Sequence, residues 1–182
     1  MNDEASMIVD YDSRWPAEFA ERARRLRTGL GDLAVRIDHI GSTAILGLAA
    51  KPILDVQISV TSLDPVDAYR EQIEQCGFEW RCANPERTKR YFRELSGRRR
   101  THIHVRRAGS FSEQFALLFR DYLRAHPERA DEYMAEKRRL APLLYVDRQQ
   151  YVSAKEPFVW QTIRLADAWA QTMGWEPGAS DG

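Results

Sequence analysis

The sequence predicts an α/β half followed by an all-α half, and three observations carry that prediction. Between Leu33 and Val60 apolar and polar residues alternate as strands require, around a Gly41-Ser42 turn. Beyond Gly109 the alternation stops, and apolar residues recur every three or four positions, the spacing of helices. No linker, internal repeat or low-complexity stretch divides the 182 residues, so one domain is expected over 1–175. Its mixed α/β part should cover about 8–108 and its helical part about 110–175, with 176–182 as a flexible tail.

Pro16 suits the first turn of a helix, with Ser13 nearby as a cap; Phe19, Ala23, Leu26 and Leu30 form the apolar stripe and Gly31 the stop. Leu33–Ile40 reads as a strand and Thr43–Leu48 as a short helix. Pro52 can open the next strand but not interrupt it. Along that strand Leu54, Val56, Ile58 and Val60 share one face, and Asp55, Gln57 and Ser59 the other. Asp64-Pro65 starts a helix that runs through Cys76 and ends at Gly77. Strands follow at Phe78–Arg81, Lys89–Leu95 and His102–Arg107, with residues 96–100 as a hairpin tip. Ser110 and Glu113 have the spacing of a capping box, ahead of an apolar stripe of Phe111, Phe115, Leu118 and Tyr122. Pro127 opens another helix to about Leu140, and a last one spans about Arg148–Met173, with Pro157 as the place for a kink.

Composition excludes several classes. Lys and Arg total 27 and so do Asp and Glu, so no net field recruits nucleic acid or an anionic membrane. The Arg98-Arg99-Arg100 tip therefore reads as a solvated turn. No stretch approaches the ~18 apolar residues of a membrane helix, and the first residues lack a secretory pattern. Two cysteines, Cys76 and Cys82, make no disulfide framework and point to a reducing compartment. A cytoplasmic, soluble protein is expected.

The chemistry concentrates between His39 and Val60. A glycine turn lets backbone approach an anion closely, a following helix aims its N–H groups at it, and an acid on the next strand can hold a divalent metal. An ordinary strand–turn–helix–strand unit with a hydrogen-bonded Asp55 gives the same pattern. His102 and His104 share a strand face and suit either metal ligation, favouring Zn²⁺ or Mn²⁺ over Mg²⁺, or a general base. Two polar, hydrogen-bonded histidines are the alternative. Glu94 is a second candidate acid, and His39 reads as a buried support for the turn. Lys137 and Lys155 fall on apolar helix faces and so call for anionic partners, either phosphates or Asp121, Glu132 and Asp147. Arg120 and Arg124, one turn apart, form a phosphate-facing pair or an ion-pair network between helices.

The segments YDSRWPAEF, DHIGSTAILGLAAKPILDVQISV, THIHV, FRDYLRAHPERADEYMAEKRRLA and YVSAKEPFV resemble, in order, the GrpB family. That resemblance implies a nucleotidyltransferase-like fold, a small mixed sheet backed by helices with a C-terminal helical group. It also implies that Gly41, Ser42 and Asp55 hold nucleotide phosphate and metal. The leading reading of these residues is metal-dependent transfer of a nucleoside monophosphate from an NTP, ATP first, to a small hydroxyl or carboxylate acceptor. The catalytic residues would be Asp55, His102 and His104, with Asp55, Gln57 and His104 on Mg²⁺ or Mn²⁺, or alternatively Zn²⁺. Gly41, Ser42, Arg120, Lys137 and Lys155 would bind phosphate. Gln57 stands where such enzymes carry a second acid. A non-catalytic binder of a nucleotide or CoA-related phosphate, assisting a CoA-pathway or biosynthetic partner enzyme, is the rival reading, and a single-metal hydrolase the third.

Overall fold

The computed structural model describes residues 7–98 and 100–182, so Arg99 of the basic tip lies outside the described residues. Five strands form one sheet: β1 (Arg36–Ile40), β2 (Leu54–Val60), β3 (Phe78–Trp80), β4 (Lys89–Glu94) and β5 (Thr101–Arg107). Their order is β1-β2-β5-β4-β3, and every neighbouring pair is antiparallel except β2 and β5. The helices are α1 (Trp15–Leu30), α2 (Asp67–Gln75), α3 (Phe111–Ala125), α4 (Pro127–Leu140) and α5 (Arg148–Met173). The last two match the sequence reading closely, and α5 continues through Pro157. Among the described residues no helix is long and apolar enough to cross a membrane.

The two faces of the sheet differ in kind, and that difference positions everything else. One face carries Ile37, Val56, Ile58, Val60, Ile103 and Val105, which pack under Phe19, Leu26 and Leu30 of α1 and Tyr69 and Ile73 of α2. Apolar burial of this sort contributes about 25 cal/mol per Å² and makes this the main core. The opposite face is polar: Asp38, Asp55, Gln57, Ser59, His102, His104 and Arg106 follow from the period of two and the register that pairs Asp55 with His102 and Gln57 with His104. Helix α3 lies over it, tied by Ser59 Oγ donating to Glu113 and Gln57 Nε2 donating to the Glu113 carbonyl. The C-terminal helices have their own cluster, with Tyr122, Leu123, Ala130, Tyr133 and Ala166 packed on Ile45 and Leu48.

Four local expectations change. Ser13 does not cap α1; the Asp12 carboxylate accepts from the Arg14 N–H at 2.9 Å instead. The helix expected at Thr43–Leu48 is a single 3₁₀ turn, Ser42–Ala44, because Ile45 is extended and Gly47 takes φ 77°. The stripe of α3 is rotated: its buried positions are Glu113, Leu117, Arg120, Tyr122 and Leu123, while Phe111 is 71% exposed. A polar sheet face asks for polar residues in the facing stripe, which leaves Phe111 and Phe115 to turn outward. The last residues, expected as a flexible tail, run beside β1, where the Ile37 N–H donates to Ser180 Oγ and the Gly182 N–H to the Ile37 carbonyl.

Candidate metal and phosphate site

At the end of β1 the chain turns through Gly41, with φ 71° and ψ −172°, a region only glycine occupies readily. A Cβ there would lie 2.6 Å from Asp55 Oδ2, so the residue type is dictated by the carboxylate opposite it. His39 supports this turn as the sequence suggested. Its ring is buried and stacked on Phe19 at 4.6 Å, and its Nε2 lies 3.0 Å from Thr43 Oγ1. Burial pushes its pKa down to about 4.

Two histidines converge on one oxygen of Asp55. His104 Nε2 is 3.1 Å and His102 Nδ1 3.3 Å from Oδ1, and one ligand atom from each of the three residues lies within 4.8 Å of the others. Atoms bound to one ion at ~2.1 Å stand about 3.0–3.4 Å apart, which both His–Asp spacings match, and with the two imidazole nitrogens drawn together the three residues suit a divalent metal. Two imidazoles and one carboxylate suit a first-row transition ion better than Mg²⁺. Each ring spends one nitrogen on Asp55; the others, His102 Nε2 and His104 Nδ1, are buried without a partner. Burial alone would raise the Asp55 carboxyl, but the hydrogen bonds from His102 and His104 hold it well below the usual carboxylate range. Burial takes His104 down to about 4 against the pull of Asp55, leaving the neutral imidazole that metals bind. The Tyr91 ring closes the pair, 5.5 Å from both imidazoles.

These residues, with Gly41 and Ser42, open into a cavity of about 380 Å³ whose far wall is cationic. Lys137 and Lys155 are there, joined by Lys51 and Arg148, and Asp55 is the one acid among the described lining residues. Lys137 is 3% exposed; its Nζ donates to the Ala49 carbonyl and sits 4.8 Å over the Tyr133 ring. Burial, with Lys155 close by, lowers it to about 7, and burial with Arg148 and Lys155 close by lowers Lys51 to about 8. The acids named as alternative partners are engaged elsewhere: Asp121 with Arg120, Glu132 with Arg129, and Asp147 capping α5. An excess of buried positive charge over negative is what a polyanion would neutralise. Lys51 and Arg148 were missed by the sequence reading, although both carried a signal. Lys51 and Ile53 share the parity of Asp55, and Arg148 precedes Tyr151 and Lys155 at helical spacing.

Four sequence candidates sit elsewhere. Gln57 is fully buried, its Oε1 accepting from Arg106 Nη1, so its amide is spent away from Asp55. Arg120 is locked in an ion-pair cluster with Asp121 and Asp181, both at 2.7 Å, and Asp38 at 3.6 Å, and does not line the cavity. Its partner in sequence, Arg124, donates to the Ala44 carbonyl. Glu94 accepts from the Thr101 N–H at 2.9 Å and pairs with Arg100. The single 3₁₀ turn after Gly41 also replaces the helix that was to aim its N–H groups at an anion.

With this geometry in place, comparison with known proteins is informative. The GrpB protein family matches residues 6–164. A crystal structure of the conserved protein GrpB from Enterococcus faecalis superposes with a TM-score of 0.80 at 30% identity, covering 90% of this chain and 99% of that one. UPF0157 protein YqkA of Bacillus subtilis is 36% identical over 89% of this chain and 47% of its own. A dephospho-CoA kinase of Mycolicibacterium paratuberculosis is 34% identical over 93% of this chain and 48% of its own. The chain thus spans about half the length of these two relatives. The implied fold class, a mixed sheet backed by helices with a C-terminal helical group, is the one the chain adopts.

Proposed function

The chain belongs to the GrpB family, and from that membership and the geometry of the site we propose that it transfers a nucleoside monophosphate from an NTP to a small-molecule acceptor. One observation carries the reading: a carboxylate flanked by two imidazoles faces four basic side chains across one cavity. That arrangement matches a metal-bound triphosphate. Lys51, Lys137, Arg148 and Lys155 would neutralise the β- and γ-phosphates, a charge the leaving pyrophosphate retains. Gly41 and Ser42 would bring backbone and hydroxyl close to phosphate oxygens. Asp55, His102 and His104 would hold the divalent ion, which when bound supplies charge neutralisation at the α-phosphate.

The second reading, a nucleotide- or CoA-phosphate-binding accessory protein, is favoured by the engagement of Gln57, which removes a candidate for a second ion. Two measurements separate them. Thermal melts with each NTP and Mg²⁺, Mn²⁺ or Zn²⁺ should show stabilisation, about 2.7 kcal/mol at a hundred times the dissociation constant. Pyrophosphate release from labelled NTP should then occur in wild type and vanish in Asp55→Asn. Binding without release supports the accessory role; no stabilisation by any NTP refutes transfer, and none by CoA or dephospho-CoA as well refutes both.

A further inference from the structure

A second cavity, a groove of about 740 Å³, lies further along the elements that build the metal site. Three elements run from one to the other. On β5, His104 faces the metal site and Arg106, two residues and about 6.7 Å on, faces the groove. On α3, Phe119 lines the site while Phe115, four residues or about 6 Å earlier, lines the groove. On α5, Lys155 lines the site and Trp160 the groove. Phe111, Phe115 and Trp160 give the groove an aromatic wall, with ring centroids 5.7 and 5.4 Å apart, and Trp160 is 47% exposed.

Arg106 stands at the junction. Its Nη1 donates to Gln57, its Nε is buried without a partner, and among the described residues no carboxylate lies within ion-pair distance of it. The acids nearby are already answered. Asp64 takes both its oxygens to Arg90 at 2.9 Å, Glu86 pairs with Lys89 at 2.6 Å, and Glu113 accepts from Ser59 and the Gly109 N–H. Arg106 is therefore a groove cation with no carboxylate at ion-pair distance among the described residues, and the groove's own acids are paired with other bases.

We propose that this groove is the acceptor subsite and that the acceptor is a carboxylic acid with a flat aromatic body, its carboxylate on Arg106 and its ring against Phe111, Phe115 and Trp160. The proposal rests on the nucleotidyl-transfer reading and narrows it. A hydroxyl must shed a proton on attacking phosphorus, and the acids that line the groove, Asp64 and Glu86, are already held by Arg90 and Lys89. A carboxylic acid, with an ordinary pKa near about 4, arrives as an anion. One carboxylate oxygen bonds to the α-phosphorus while the bond from that phosphorus to the oxygen bridging it to the β-phosphate breaks. Pyrophosphate leaves with the bonding electrons, and an acyl nucleotide anhydride forms with no net proton transfer.

The test begins without nucleotide. Saturation-transfer NMR on the whole chain compares benzoate and cinnamate with benzyl and cinnamyl alcohol. The acids should bind at least about tenfold more tightly, the scale of a charge-assisted hydrogen bond. Arg106→Gln should abolish that preference, and Trp160→Ala, a change at the surface, should weaken acid and alcohol alike. Equal binding of acid and alcohol, or no binding of either, would overturn the proposal. With ATP and metal, carboxylate-dependent pyrophosphate exchange supports it, and alcohol-dependent pyrophosphate release overturns it. Carboxylate preference without exchange keeps the subsite and refutes the transfer reading alone.

Discussion

Gly41→Ala isolates the contact on which the candidate site depends. The glycine sits at φ 71° and ψ −172°, and an added methyl would meet Asp55 Oδ2 at 2.6 Å and Asp55 Cβ at 3.1 Å. Holding a non-glycine residue in this backbone region costs about 1–3 kcal/mol. The close contact adds about 1–3 kcal/mol, because the neighbouring atoms belong to a short side chain on a central strand rather than to a flexible tip. Relieving one partly relieves the other, so a total near 2–4 kcal/mol is expected, which for a chain of this size lowers Tm by at least about 5 °C. The relief has a chemical consequence. Pushing the Asp55 carboxylate aside opens its 3.1 and 3.3 Å approaches to His104 and His102 and disperses the ligand set. Calorimetry gives Tm, and competition against a chromophoric chelator gives Zn²⁺ affinity. Unchanged melting together with unchanged Zn²⁺ binding would show that the turn does not abut the carboxylate and would remove the basis for the site.

Gln57→Ala should leave Zn²⁺ affinity close to wild type while destabilising the fold by about 1–3 kcal/mol, because it strands the half-buried Arg106 guanidinium; chemical denaturation beside metal titration reads both, and a large loss of metal affinity would return Gln57 to the ligand set. Lys137 supplies a pH signature. Its pKa falls to about 7 in the fold against an ordinary value near 10.4, so between these limits the unfolded chain holds more protons and stability rises with pH. Below about pH 7 the buried ammonium works against the fold. Lys137→Met should therefore be more stable than wild type at pH 6 without ligand, and the gap should close by pH 9.5, followed by denaturant midpoints. A gap independent of pH would contradict the assignment.

How far the site was legible follows from where each residue's partner lies. Strand parity alone put Asp55, Gln57 and Ser59 on one face and His102 with His104 on another, and helical spacing put Lys137 and Lys155 inside. The sequence could not supply the parallel pairing of β2 with β5, which brings Asp55 opposite His102 across a long separation. It also could not tell a buried polar group with a protein partner from one without. Gln57, Ser59 and Arg120 look, residue by residue, like Asp55 and Lys137: polar positions on inward faces. They differ because Arg106 answers Gln57 and Glu113 answers Ser59 from other elements, while Asp38 and Asp181 from other elements join Asp121 of α3 itself in answering Arg120. The polar sheet face explains the error in α3 for the same reason. A stripe that must meet Ser59 and Asp38 carries Glu113 and Arg120, so its apolar residues cannot mark its inner side. Since an unanswered buried charge costs free energy, the groups that stay unanswered after folding, Lys137 without a carboxylate and two histidine nitrogens without partners, are the ones whose retention calls for a ligand.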